Sequence, residues 1–221
     1  ISLLPLWACS LTKLQMTSSI VASEFVAELV GSESTVDMMI GVGLVKDTDA
    51  VYFQYLGEEQ QPAALMLPSG KPCTRLPHVT VTGVEIAEDI GQFKSTKLNL
   101  YLTSSAGRTV MLTSGLQTIW SQCVITGLMA VFNEYGLSSP LTIDTWKGTA
   151  SMLPCFAAIR QNGNKLSDQV MYDELKEARS DRDKARVETL MRDAVDVLRG
   201  ALGIEKVEVS ADVEVKEVTD F

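Results

Sequence analysis

Residues 95–137 read STKLNLYLTSSAGRTVMLTSGLQTIWSQCVITGLMAVFNEYGL, and this stretch decides the fold class. Its first part places Leu98, Leu100 and Leu102 at alternate positions, which is the period of a half-buried β-strand. The residues AGR at 106–108 are a turn signal and lead into a second apolar run at 109–115. The two runs therefore predict a β-hairpin.

Residues 116–137 predict one long helix that ends at Gly136. No charged residue occurs from Thr109 to Asn133, so a membrane span has to be weighed. Such a span needs about 20 mainly apolar residues with basic flanks. The first half of this helix carries polar residues, namely Gln117, Thr118, Ser121 and Gln122. We therefore expect a buried helix that packs on a sheet.

Shorter apolar runs on both sides of this stretch predict further strands. They cover residues 36–45, 50–56, 63–67 and 78–88 before it, and residues 140–148 and 152–161 after it. Gly83 lies inside one of these runs and predicts a bulge or a tight bend. The proline-rich residues 68–77 predict a loop, NGN at 162–164 predicts a turn, and residues 18–30 have helical spacing.

The part of the chain after the last predicted strand changes character. Residues 167–180 and 181–202 predict two charged amphipathic helices, with Ser167 and Asp181 as their expected N-caps. Their dense mixed charge is typical of a face that is exposed to solvent. Nothing in their carboxylates singles out a catalytic pair.

From residue 78 onward the predicted elements are strand, strand, strand, helix, strand and strand. This is the element order of an OB-fold, a partly open five-stranded barrel. The same order also fits a two-layer α+β sheet that includes the earlier strands. The predicted fold class is therefore α+β, with an antiparallel sheet or OB-like barrel and one long buried helix, followed by two C-terminal amphipathic helices.

This interpretation divides the chain into four parts. We predict a leader or non-native upstream segment at 1–15, and a sheet-rich core domain at 16–165 whose OB-like part is 78–161. A helical segment at 166–202 and an acidic tail at 203–221 follow. The upstream segment ISLLPLWACSLTKLQ lacks a basic residue before Cys9, which favours translated upstream sequence or a fragment boundary over a truncated export signal.

The charge of the chain is uneven. Its formal net charge is −9, yet residues 78–165 carry six Lys/Arg against five Asp/Glu, while residues 166–221 carry nine against fifteen. The overall balance argues against a simple basic nucleic-acid binder. It leaves open a near-neutral binding core with acidic segments around it.

The usual catalytic and metal-binding signatures are absent from the sequence. It contains no phosphate-binding Gly-rich loop, no zinc-protease motif and no nucleophile elbow. The four cysteines form no C-x-x-C pair, and a zinc site that included the single histidine, His78, would need an unusual ligand set. We therefore predict a protein that is not an enzyme and has no metal or cofactor. Isolated thiols favour a reducing cytoplasm, although a disulfide between two of them remains open.

Cationic and aromatic residues in the predicted sheet suggest a surface for single-stranded nucleic acid, because bases stack on aromatic rings while cations bind phosphates. Trp146 and Lys147 are the most informative pair, since the buried side of their strand is already supplied by Leu141 and Ile143. Phe93, Phe156 and Arg160 are weaker candidates. The predicted nucleic-acid-binding residues are Lys94, Lys97, Tyr101, Arg108, Trp146 and Lys147.

The stretch ADVEVKEVTDF at 211–221 is similar to the acidic C-terminus, ending in Phe, of some bacterial and phage single-stranded DNA-binding proteins. The resemblance implies that the tail carboxylates compete with DNA for a basic groove. It also implies that Asp220 and Phe221 bind partner replication and repair proteins. The valines of the segment are equally typical of an ordinary strand.

Together these features favour a cytoplasmic, non-enzymatic single-stranded DNA-binding protein of phage or plasmid type, with roles in DNA replication and repair. A homo-oligomer is compatible with this interpretation. The alternative is a structural or assembly protein, such as a virion component or a subunit of a larger complex, that does not bind nucleic acid. An enzyme without a recognisable motif comes third.

Overall fold

A computed structural model describes residues 36–45, 48–56, 61–91, 94–149 and 154–204. The predicted upstream segment at 1–15, the predicted helix at 18–30 and nearly all of the predicted acidic tail lie outside these residues. So do Phe93 and the tail residues Asp220 and Phe221.

The described residues form nine strands and three helices, which we number in chain order. They are β1 Met38–Val42, β2 Tyr52–Leu56, β3 Gln61–Ala64, β4 Arg75–Ile90, β5 Ser95–Ser104, β6 Thr109–Gly115, α1 Ile119–Tyr135, β7 Leu141–Lys147, β8 Cys155–Gln161, β9 Asn164–Leu166, α2 Gln169–Ser180 and α3 Lys184–Ala201. The hairpin, the long helix and the two C-terminal helices are thereby confirmed.

All nine strands belong to one sheet, in the order β3-β2-β1-β6-β5-β4-β7-β8-β9. The pairings are antiparallel except for β1 with β6, which is parallel. The α+β class is confirmed. The OB-like barrel is not supported, because the sheet is open and has β3 and β9 as its edges. The short strand β9 was not predicted.

The two faces of the sheet differ because neighbouring side chains of a strand point to opposite sides. We call the face that packs against α1 and α3 the inner face, and the opposite one the outer face. On β5, Leu98, Leu100 and Leu102 are buried in the core on the inner face. The long helix α1 lies very close to the sheet at Gly127. A β-carbon at this position would be only 2.4 Å from Cγ1 of Ile159 on β8. Among the helices of the described ranges, none has both the length and the apolar character to cross a membrane.

The helix ends follow simple capping chemistry, with two corrections to the predicted caps. Thr118 caps α1 by accepting a hydrogen bond from the backbone N–H of Ser121. Asp168, and not Ser167, caps α2, and Asp183, and not Asp181, caps α3. The predicted positions are one and two residues early because each helix has a second good capping residue just after the expected one.

Gly83 marks a bulge in β4, as predicted. The register between β4 and β5 shifts between Val81 and Gly83, and the ring of Tyr101 lies over the glycine. A β-carbon at Gly83 would lie 3.1 Å from Cδ2 of Tyr101, so a larger residue would push the ring away. The long strand β4 pairs with β5 along most of its length and with β7 at its beginning, where a second register shift lies between Leu76 and Val79.

The sheet curls so strongly that β2 and β7 meet across its inner face. Four strands separate them in the sheet order, yet the hydroxyl of Tyr52 lies 2.6 Å from Oγ1 of Thr145. The indole Nε1–H of Trp120, at the start of α1, donates to the same oxygen at 3.0 Å. All three side chains are buried. We call this contact the Thr145 hub.

Loss of the Thr145 hydroxyl should destabilise the fold. In Thr145→Val the shape is kept but the buried Tyr52 hydroxyl and Trp120 N–H lose their partner, which we expect to cost about 2–4 kcal/mol. Thr145→Ser keeps the hydroxyl and should cost only about 1 kcal/mol for one methyl group. Urea unfolding of both variants measures the difference. Equal losses, or a larger loss in the serine variant, would mean that the hub contributes little.

Candidate nucleic-acid interface

The outer face of β7 and β8 carries a stacked aromatic pair. Trp146 lies opposite Phe156 in the register of the two strands. Their ring centroids are 6.1 Å apart and the ring planes differ by 16°. Trp146 is 42% exposed, whereas Ile143 and Thr145 on the same strand face inward and are buried. The predicted outward orientation of Trp146 is confirmed.

Two arginines flank a single carboxylate on the same face. Arg75 at the start of β4 donates from Nε to Oδ1 of Asp144 at 2.5 Å and from Nη2 to Oδ2 at 3.2 Å. Arg160 on β8 donates from Nε to Oδ2 at 2.8 Å. The hydrogen bond from Arg75, supported by that from Arg160, holds the pKa of Asp144 below its usual range. The three groups therefore carry a net positive charge at neutral pH.

The arginines keep donors for a ligand. The side chains of Arg75 and Arg160 are 62% and 39% exposed, while that of Asp144 is 16% exposed. A guanidinium group has five N–H donors, and Asp144 engages two from Arg75 and one from Arg160. Asp144 thus orients both guanidinium groups and leaves further N–H donors on each of them available to a ligand.

We call this set of residues the arginine–aromatic strip. Its members share the outer face of neighbouring strands and are Arg75, Asp144, Trp146, Phe156 and Arg160. Lys165 on β9 lies opposite Arg160 and is exposed, so it extends the positive charge toward the sheet edge.

Lys94 and Lys97 lie far from this strip. Lys94 is in the turn before β5, and Lys97 pairs with Ala87 near the end of β4. Arg75 begins the same strand, so roughly 40 Å of strand separates it from Ala87, at about 3.3 Å per residue. These two lysines do not form one site with Trp146.

Arg108 and Tyr101 have local roles in the β5–β6 hairpin region. Arg108 is exposed in the turn, where its carbonyl oxygen accepts from the N–H of Ser104 at 2.9 Å. The Tyr101 hydroxyl donates to Oε1 of Glu85 at 2.6 Å, and Nδ2 of Asn99 donates to the same oxygen at 3.0 Å. Burial and this carboxylate raise the pKa of Tyr101. Since its ring also covers Gly83, we assign Tyr101 to packing of the outer face.

Lys147 does not accompany Trp146, although the two are neighbours in sequence. Strand alternation directs them to opposite faces, and Nζ of Lys147 forms an ion pair with Asp49. The arginines on the same face as Trp146 are contributed by β4 and β8 instead. Sequence reasoning missed Arg75, which lay in a predicted loop, and Asp144, because cross-strand register cannot be read from residue periodicity.

The described residues provide no alternative metal centre. Within the described ranges, no group of three or more His, Cys, Asp or Glu residues could hold a metal ion. Cys73, Cys123 and Cys155 are free thiols, and burial raises the pKa of Cys73 and of Cys155.

Comparison with protein-family models, with curated proteins and with solved structures found no match to this chain.

Asp144 should stabilise the fold in a pH-dependent way. Because its folded-state pKa is lowered, its contribution is fully present above its unfolded pKa, near 3.9, and is lost as the pH falls through the lower folded value. We expect Asp144→Asn to lower the free energy of unfolding at pH 6, with the difference from wild type shrinking below about pH 4. Urea titrations at several pH values measure it. A difference in the free energy of unfolding that stays constant down to pH 2 would contradict this assignment. In an Arg75→Gln background, Asp144→Asn should lower the free energy of unfolding by less.

Proposed function

We propose that this chain is a cytoplasmic, non-enzymatic protein that binds single-stranded DNA through the arginine–aromatic strip. The observation that supports the proposal is a partly exposed tryptophan, stacked on Phe156, on the same sheet face as Arg75 and Arg160, which Asp144 holds.

The aromatic pair suits a stacking role. An aromatic ring that receives a base contributes roughly 1–3 kcal/mol per base and tolerates any sequence, because every base has a π-face. Trp146 is partly exposed, and its contact with Phe156 fixes the ring before a ligand arrives. A fixed ring loses little conformational entropy when a base stacks on it.

The arginines suit the phosphates that accompany such a base. Their free N–H groups can bind phosphate oxygens, and Asp144 keeps both side chains close to the sheet. The chain as a whole is acidic, with a net charge of −9. Long-range attraction for DNA is therefore weak, and binding rests on these local contacts and on stacking, which requires unpaired bases.

An assembly role is the second candidate, because the end of the sheet that holds β1–β3 exposes several large apolar side chains. Leu44, Tyr55, Met66 and Leu67 are 48%, 47%, 48% and 45% exposed. Contiguous exposed apolar groups often mark protein–protein contacts. In that case the chain would be a fixed subunit of a larger complex. The predicted recruitment of replication or repair proteins by Asp220 and Phe221 concerns residues outside the described part of the chain and stays a prediction.

Replacement of Trp146 should weaken DNA binding while leaving the fold intact. We expect Trp146→Ala to raise the dissociation constant for an oligo-dT roughly 5- to 150-fold, which corresponds to the loss of one stacked base. Tyr135→Ala is a matched control, because Tyr135 is an aromatic of similar exposure, 44%, at the end of α1. Fluorescence anisotropy measures both. Equal effects of the two substitutions, or no binding of oligo-dT by the wild type, would reject the proposal.

The salt dependence of binding should identify which cations contact phosphates. Each phosphate contact on a single strand contributes about 0.7 to the slope of log K against log salt. We expect Arg75→Gln with Arg160→Gln to reduce the slope by about 1.4. Lys94→Gln with Lys97→Gln removes the same charge far from the strip and should leave the slope unchanged. If the lysine pair changed the slope and the arginine pair did not, the strip would be the wrong surface.

A further inference from the structure

A concave site lies in the helical layer, on the other side of the sheet from the strip. A cavity of about 410 Å³ opens where the turn between α2 and α3 approaches the beginning of α1. Its floor includes the buried residues Ala178 and Val187, and its rim carries Arg179, Arg182 and Lys184. The volume is within the usual range for small-molecule sites.

Carboxylates hold two cations of the same helices that do not line the cavity. Arg186 pairs with Glu177 at 2.7 Å and Arg192 pairs with Glu188 at 2.6 Å. By contrast, no carboxylate in the described ranges forms an ion pair with the three rim cations. In an acidic chain this leaves a local excess of positive charge.

Two acceptors near the rim already take part in hydrogen bonds. Oε1 of the buried Gln122 accepts from Nη1 of Arg179, and Nε2 of Gln122 donates to the carbonyl oxygen of Gln117. Asp183, the one carboxylate among the described residues that line the cavity, accepts from the N–H of Arg186 as the cap of α3. Asp183 keeps its negative charge, but the three rim cations outnumber it, so the rim offers N–H donors and a net positive charge to an incoming group.

From this arrangement we infer that the cavity binds a small organic anion, with an apolar body on the Ala178–Val187 floor and a phosphate or carboxylate head between Arg182 and Lys184. The apolar floor favours a hydrocarbon or aromatic body. The unpaired cations favour an oxyanion, because charge-assisted hydrogen bonds are stronger than neutral ones. The inference is independent of DNA binding, since the two sites occupy opposite sides of the sheet.

Amide NMR titration of the full chain tests the inference. Phenyl phosphate and benzoate each join an aromatic body to one of the two possible anionic head groups. Inorganic phosphate is a control for the head group alone, and benzyl alcohol is a control for an uncharged aromatic body. We expect saturable shifts of the Gln117 and Gln122 side-chain amides and of the Ala178 and Val187 backbone amides with at least one aromatic anion. The aromatic anion that binds more tightly, phenyl phosphate or benzoate, identifies the preferred head group.

Two matched variants place the anion at the rim. Lys184→Gln should weaken binding of the aromatic anion roughly fivefold. Lys176→Gln removes a cation of α2 that does not line the cavity and should change binding less than about twofold. The inference is overturned if neither anion gives saturable shifts at these amides, if benzyl alcohol or inorganic phosphate binds as tightly, or if both variants have the same effect. Unchanged shifts elsewhere show that each variant is folded.

Discussion

The hydroxyl group of Thr145 joins three parts of the chain that are distant in sequence, and the shape of the sheet depends on it. Tyr52 reaches it from β2 and Trp120 from α1, although four strands separate β2 from β7 in the sheet. A flat sheet would keep these groups far apart. Burying the Tyr52 hydroxyl and the Trp120 N–H without a partner would be costly, so the shared Thr145 oxygen satisfies both groups inside the core of the curled sheet.

The same constraint places the candidate DNA-binding surface. Thr145 has to face inward to reach Tyr52 and Trp120, so the next residue, Trp146, has to face outward. Asp144, the residue before, faces outward for the same reason and meets Arg75 and Arg160 there. Three consecutive residues of β7 thus link the stability of the core to the chemistry of the outer face. A one-residue shift of this strand would exchange the two roles.

The elements with strong local periodicity could be predicted from the sequence. The alternating leucines of β5, the turn before β6 and the long uncharged helix α1 all depend on residues close to one another in the chain. Gly83 was interpretable as a bulge for the same reason. Relations between distant segments could not be predicted, because periodicity does not encode which strands pair. The parallel pairing of β1 with β6, the open edge at β9 and the curl of the sheet belong to this class.

In the candidate site, too, the features that depend on one strand could be predicted and the contacts between strands could not. Outward exposure of Trp146 followed from the alternation within its own strand, so the sequence sufficed for it. The contribution of Arg75 could not be predicted, because this residue begins a strand inside the proline-rich predicted loop. Lys147 was chosen for its adjacency in sequence, yet adjacency along a strand sends two side chains to opposite faces.

The indole N–H signals of the tryptophans in a ¹H–¹⁵N NMR spectrum test the link between the hub and the surface in one titration. We predict that adding oligo-dT moves the Trp146 signal, assigned with a Trp146→Phe variant, and leaves the Trp120 signal in place. The Trp120 signal should also exchange slowly with deuterated solvent because its N–H is buried and bonded to Thr145. A Trp146 signal that does not shift when the oligonucleotide is added, or a Trp120 indole proton that exchanges rapidly, would contradict this account.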